Sequence, residues 1–503
     1  MSTKFFINIF NYCGLFFISL YIFGCSTSAK VTKVATPQPN IKNLQDNLSY
    51  VISDPNLFNA QLGLYIESVN SGEIIFAHNE HKLFISASNM KIFTTVTALL
   101  KFGPRFTYKT NIYHSNSVNE GILKGNLIIK GSGDPTLAPR YSNGDSRSFF
   151  RDWADSLLSK GIKKIEGDII GDESYFQTDP LGYGWQWDDE PYWYSAQISA
   201  LSFNDNCVDV TVVASDNIGE PPDVYLSPPT SYVSIDNKAI TTEPDSIRTL
   251  SLTRPRLENK IIIRNHIPVN KPKTTRSLSV ENPARFFIHV FREVLEEKGI
   301  EVLGDLKVAT IPGQIDYSDF TMIFTHQSPP LSEIISIVNK RSQNLYAEQL
   351  LVTIAAEYGQ QASAAGGIEV VNSTLAQMGI TMNEFSMKDG SGLSRFNLIS
   401  PHSVSLLLRY MSKHEYFPFF YDSLPIAGID GTLKSKMKNT PAEGNVRAKT
   451  GTVGHVRNLS GYVESGNGEL FLFSFLVNNY LLPTPSINNL QDRIGNLLAT
   501  FVR

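Results

Sequence analysis

At 503 residues the chain exceeds what one hydrophobic core usually sustains, so two or three compact units are expected. Its 42% hydrophobic and 18% charged residues exclude a disordered chain, whose apolar content would be too low to build a core. A formal net charge of -4 excludes a global field that would draw the protein to nucleic acid or an acidic membrane surface, so partners must be read from local sites.

The chain opens with Lys4, an apolar run to Gly24, then Cys25 and small polar residues, which is the pattern of an export signal over residues 1–25. Ile22-Phe23-Gly24-Cys25 resembles the bacterial lipobox, in which cleavage before the cysteine leaves a new N-terminus carrying lipid on its thiol. That resemblance implies lipidation at Cys25 and a membrane-anchored position in the bacterial periplasm. A simple cleaved signal and an uncleaved anchor are the alternatives, since the run is just long enough to span a bilayer. Cys13 falls in the signal and Cys25 at its end, so Cys207 is alone in the mature body and no intramolecular disulfide is available. Residues 26–45, polar with two prolines, read as a flexible tether.

From residue 46 two strand-like runs flank Asn70-Ser71-Gly72 and predict a hairpin. It leads into "FISASNMKIFTT", where Ser86 or Ser88 can cap a helix whose apolar Ile92, Val96 and Leu99 recur until Gly103-Pro104. Residues 106–320 alternate in short strands broken by Gly, Pro, Asn and Asp, with helical patterns only in "RSFFRDWADSLLSKGI" and "NPARFFIHVFREVLEEKGI". Helical patterns return in "LSEIISIVNKRSQNLYAEQLLVTIAAEYG" and "SPHSVSLLLRYMSK". A strand pair, "NVRAKTGTVGHVRNLSGYVES" and "ELFLFSFLVNN", and a last helix follow. No repeat of solenoid or propeller period occurs. The layout is multi-domain α/β: a discontinuous unit, residues 46–105 and 321–503, split by a β-rich insertion, residues 106–320, of two subdomains.

Ser88 and Lys91 are three positions apart, and alone this spacing is a weak signal that reads better as a capped helix with a solvated lysine than as a nucleophile and its base. Two later motifs shift the balance: Ser342-Gln343-Asn344 where two helical patterns meet, and Lys449-Thr450-Gly451-Thr452 at the opening of a strand. S-x-x-K, S-x-N and K-T-G in this order form the signature of penicillin-binding proteins and serine β-lactamases. Lys91, one helical turn beyond Ser88, can take the hydroxyl proton only when neutral, and burial beside Lys449 favours that form. Ser342 is placed to relay the proton to a leaving amine, and Asn344 to bond a substrate peptide group. The backbone amides of Ser88 and Thr452 are the expected oxyanion donors, and the strand edge at Thr450, Gly451 and Thr452 suits an extended peptide.

Beyond these motifs, "GNLIIKGSGDPTL", "GDIIGDESYF", "SALSFNDNCVDV", "KDGSGLSRFNLISP" and "LPIAGIDGTL" resemble the class C low-molecular-mass penicillin-binding proteins, the D-Ala-D-Ala carboxypeptidase/endopeptidase family. The match runs from about residue 45 to the end, and the roughly 250 residues between Lys91 and Ser342 fit that family's long insertion. The resemblance implies a transpeptidase-like (β-lactamase-like) domain, a five-stranded antiparallel sheet with helices on both sides. It implies cleavage of peptidoglycan stem peptides or D-alanyl cross-links through an acyl-Ser88 intermediate, and acylation of Ser88 by β-lactams. It also implies that Asp172, in "GDESYF", and Arg395, in "DGSGLSR", hold the free end of the diaminopimelate side chain, which bears an ammonium and a carboxylate.

Asp389 and Ser391 read as loop-shaping, and "YGWQWDDEPYWYSAQ" as either a groove lining or packing between domains. No cofactor and no metal are expected, because the histidines show no ligand spacing. A β-lactamase is disfavoured because no additional water-activating base is visible. A catalytically silent peptidoglycan-binding or β-lactam-sensing lipoprotein is the remaining alternative.

Overall fold

The computed structural model describes residues 41–503. The export signal, Cys25 and residues 26–40 of the tether lie outside the described residues. The central feature is a five-stranded sheet in the order Ile74–His78, Gln61–Ser68, Leu470–Asn478, Val456–Glu464 and Arg447–Val453, every neighbouring pair antiparallel. Successive side chains of a strand leave on opposite faces. Along Leu470–Asn478, Leu472 and Leu476 therefore enter one core, while Phe471, Phe473, Phe475 and Val477 enter another. Burial on both faces explains why this segment reads as an apolar run from Leu470 to Val477 interrupted only by Ser474, whose hydroxyl pairs with that of Ser460.

One face is covered by the helices Met90–Phe102, Leu331–Lys340, Asn344–Tyr358, Ala364–Ala376 and Pro401–Ser412. The other is covered by Ile41–Ile52 and Thr484–Thr500. The first of these begins inside the segment read as tether: Leu44, Leu48 and Val51, spaced as one helical stripe, are buried with Leu490, Ile494 and Leu498 of the last helix. Burial of that stripe outweighs the polar composition around it.

Between the helices Met90–Phe102 and Leu331–Lys340 lies the inserted β structure. Its largest sheet runs Leu306–Ala309, Ile169–Asp172, Leu127–Lys130, Lys109–His114, Thr321–Gln327. The last strand pairs antiparallel with Lys109–His114, so the inserted structure continues past the boundary drawn at residue 320. Smaller sheets form around Cys207–Val213 and Lys260–Arg264. The two helices read from the sequence pattern are present as Arg147–Ser159 and Pro283–Glu297, and Phe150 and Trp153 of the first pack on Phe287 and Phe291 of the second. Asn282, just before Pro283, accepts the Arg285 amide and caps the second. Among the described residues no helix is long and apolar enough to cross a membrane.

Candidate active site

Ser88 lies in a single 3-10 turn, Ala87–Asn89, which runs directly into the helix Met90–Phe102. Ala87, fully buried, has φ of 42° in the left-handed region that a side chain enters only at a cost, so the surrounding fold holds this turn in place. Neither Ser86 nor Ser88 caps the helix. The Ser88 hydroxyl instead accepts a hydrogen bond of 3.0 Å from Lys91 Nζ.

Lys91 is completely buried and also donates to Asn344 Oδ1 and to the Ser391 carbonyl, each at 2.6 Å. Burial lowers its pKa to about 7, against the opposing pull of Asp389 and Glu348. Its three acceptors account for the three protons of an ammonium group. Once one proton is lost, a lone pair faces the Ser88 hydroxyl. Lys449 Nζ donates to Ser342 Oγ at 3.0 Å and to the Thr450 carbonyl at 2.9 Å. Burial, and then the charge of Lys91, push Lys449 well below the usual lysine range. For Lys91, burial supplies the shift that the sequence reading assigned partly to Lys449.

Ser342 joins the helices Leu331–Lys340 and Asn344–Tyr358 with φ of 58°, a second left-handed non-glycine residue at this site. The Asn344 amide nitrogen donates to the Tyr194 carbonyl at 2.7 Å, which fixes the amide orientation and leaves one N–H for a substrate carbonyl. The structure thus brings these residues together as two hydrogen-bonded sets, Ser88–Lys91–Asn344 and Ser342–Lys449, whose two lysines are close enough for the charge of Lys91 to act on Lys449.

The strand Arg447–Val453 is the sheet edge beside these two sets. The Ala448 amide bonds the Pro425 carbonyl on the side away from Val456–Glu464. With a two-residue period, the amides of Thr450 and Thr452 point to that same outer side. A Cβ on Gly451 would lie 2.8 Å from Asn89 Oδ1 and 2.9 Å from the Ser86 carbonyl, so only glycine lets the strand approach the turn that carries Ser88. The Thr450 hydroxyl donates to Thr432 at 2.7 Å, a contact sequence reasoning missed. A cleft of about 400 Å³ is lined by Ser88, Ser342, Asn344, Thr450, Thr452 and Arg395, and also by Gln186, Asp189, Trp193 and Tyr194. The aromatic acidic stretch therefore contributes to the cleft wall.

Asp389 accepts the amides of Gly392 and Ser394, the Asn397 side chain and the Trp185 indole, so it shapes the loop that delivers the Ser391 carbonyl to Lys91. Glu348 accepts the amides of Gly390 and Ser391 and secures the same loop; burial and Asp389 push its pKa up to about 8. Its sequence signal was a lone acid within the apolar run "LYAEQLLVTIAA".

Arg395 reaches the cleft and donates to the Gly454 carbonyl at 2.9 Å. Asp172 does not line it: its carboxylate, 3% exposed, accepts from the Tyr317 hydroxyl and the Ser174 amide. Nearby, Tyr175 bonds Glu357, at the opposite end of the helix Asn344–Tyr358 from Asn344, about 20 Å away at the rise of an α-helix. Asp189, in the acidic stretch, is the aspartate that lines the cleft together with Arg395. His81 and His402 meet Glu384 at 2.9 and 3.0 Å, a grouping outside the cleft lining that no local sequence spacing could have shown.

Residues 44–501 match the model of the D-Ala-D-Ala carboxypeptidase 3 (S13) family. The D-alanyl-D-alanine carboxypeptidase of Actinomadura sp. (strain R39) is 33% identical over 476 residues, covering 92% of this chain and 85% of that protein. The D-alanyl-D-alanine carboxypeptidase DacB of Haemophilus influenzae is 29% identical over 433 residues, 84% of this chain and 86% of that one. The crystal structure of penicillin binding protein 4 from Haemophilus influenzae superimposes with a TM-score of 0.78 at 26% identity, covering 92% of this chain and all of that one. The same protein complexed with a β-lactam gives 0.74 at 25% identity over 90% of this chain and all of that one. The chain belongs to the D-Ala-D-Ala carboxypeptidase 3 (S13) family and is a serine-type D-Ala-D-Ala carboxypeptidase.

Proposed function

We propose that Ser88, with Lys91 as its base, hydrolyses peptidoglycan stem peptides at terminal D-Ala-D-Ala bonds and at D-alanyl cross-links. The observation that carries this reading is the 3.0 Å contact between Ser88 and a buried lysine whose pKa is lowered to about 7. Neutral Lys91 takes the hydroxyl proton as Ser88 Oγ attacks the penultimate D-alanyl carbonyl. The developing oxyanion is met by the backbone amides of Ser88 and Thr452. The leaving amine receives a proton through Ser342, which already accepts from Lys449. Water then hydrolyses the ester and restores Ser88.

The stem peptide lies along the outer edge of Arg447–Val453, with Asn344 bonding one of its carbonyls. Asp189 and Arg395 supply one charge of each sign for the ammonium and carboxylate of a diaminopimelate end. β-Lactams acylate Ser88 by the same attack, a reading supported by the likeness to the Haemophilus influenzae protein solved with a β-lactam. The export pattern of residues 1–25 supports secretion to the periplasm with lipid at Cys25.

Release of D-alanine from disaccharide-pentapeptide tests the reading. The wild type should release one D-alanine per peptide, and Ser88→Ala should lose at least about 10⁴-fold in rate. Undiminished release by Ser88→Ala would overturn it.

A further inference from the structure

A second cavity, of about 700 Å³, adjoins the catalytic cleft. Trp193 lines both, and Arg341 and Gln343, the chain neighbours of Ser342, line the second. Two independent features mark it as more than a surface hollow. Gln343 Oε1, Asn204 Oδ1 and Arg140 Nε, all on residues of its wall, are buried without a hydrogen-bond partner among the described residues. Asn204 and Gln343 are only 4% and 6% exposed, and buried polar groups of this kind are nearly always satisfied. In addition, Asn204, Asp205 and Asn206 pass in succession through the left-handed region at φ of 51°, 56° and 55°. Such runs persist only where the fold enforces them, and here the Asn206 amide is fastened to the Gln197 carbonyl and the Ser202 hydroxyl.

The chemistry of the cleft gives this cavity a direction. Ser342 hands the proton to the departing amine, so whatever departs does so past Ser342, and the residues on either side of Ser342 face the second cavity. A departing D-alanine has only six heavy atoms and needs little of it, whereas the volume is that of a site for a larger ligand. Its wall is bipolar: Arg341 is exposed, Asp205 is paired with Arg140, and the Asp209 carboxylate accepts from Ser277.

We propose that this cavity is the subsite for the leaving strand of a D-alanyl cross-link, a peptide whose diamino acid presents both ammonium and carboxylate groups. The proposal rests on the reading of Ser88 as nucleophile and Ser342 as proton relay. In the step it serves, the bond from Ser88 Oγ to the D-alanyl carbon forms as the cross-link C–N bond breaks. The Ser88 proton passes to Lys91, and the amine leaves with a proton delivered through Ser342. Water later hydrolyses the ester to a free carboxylic acid.

The test compares kcat/KM of the full chain, purified in detergent, on a cross-linked muropeptide dimer and on disaccharide-pentapeptide, for the wild type, Arg341→Ala and Asp209→Asn. The dimer-to-pentapeptide ratio should fall about tenfold in Arg341→Ala, the effect of losing one charge-assisted contact, and should also fall in Asp209→Asn. An unchanged ratio in both variants overturns the proposal. Should the variants misfold, uncross-linked diaminopimelate tetrapeptide titrated onto benzylpenicillin-acylated wild type decides it: saturable binding supports a separate leaving-strand subsite, and none overturns it. Failure of the wild type to cleave pentapeptide or to be acylated would strike the reading of Ser88 instead, so the two failures are distinguishable.

Discussion

Lys91 has its pKa lowered to about 7 because it is buried, and only its neutral form can accept the Ser88 proton. The sign follows directly: as pH falls the base is protonated and the reaction slows. Acylation should be half-maximal near pH 7, fall about tenfold per pH unit below it and level off above it. The second-order rate constant for benzylpenicillin acylation across pH 5–9 checks this, and a rate that rises as pH falls would contradict the assignment. At this scale Ser88, Lys91, Ser342, Asn344 and Lys449 were legible because the reaction fixes both residue type and chain order. The aspartate was not, because a motif names a residue without saying where its carboxylate points. Asp172 is spent on Tyr317 and Ser174, and it is Asp189 that lines the cleft. Glu348 went unnoticed for a related reason: its partners are backbone amides about 40 residues downstream, which no local pattern displays.

Secondary-structure elements position these groups, and the closest approach is between Arg447–Val453 and the turn at Ser88. Gly451→Ala should push the strand off Asn89 and the Ser86 carbonyl and lower acylation about 10²-fold, the scale of an ångström-sized misplacement, with the fold retained by circular dichroism. Wild-type acylation kinetics would show that the strand has no need of that glycine. The last strand pair and the two helices of the insertion were readable from periodicity. Two boundaries were not. Thr321–Gln327 belongs with Lys109–His114 through a pairing that bridges about 200 residues, and Ile41–Ile52 folds because its stripe meets the C-terminal helix. The contribution of that stripe is measurable: Leu48, fully buried, should cost about 2–5 kcal/mol on replacement by alanine, read as a lowered urea midpoint. An unshifted midpoint would mean that the helix is dispensable.

Across the molecule, two hydrophobic cores sandwich the five-stranded sheet and a separate one fills the inserted structure, where Phe150, Phe203, Phe287 and Phe291 meet. The length of the chain and the spacing between its motifs made a split unit readable, whereas the sheet order and the second cavity arise from contacts between distant segments. The site is assembled from all three regions at once: Ser88 and Lys91 from the first part of the peptidase unit, Trp193 and Tyr194 from the insertion, and Ser342, Asn344 and Lys449 from the second part. The most direct measurement of the central claim is intact-mass analysis of the protein incubated with benzylpenicillin, followed by peptide mapping, beside Ser88→Ala. One penicilloyl adduct per chain, mapped to Ser88 and absent from the variant, is the predicted result. An adduct on another residue, or none, would contradict Ser88 as the nucleophile.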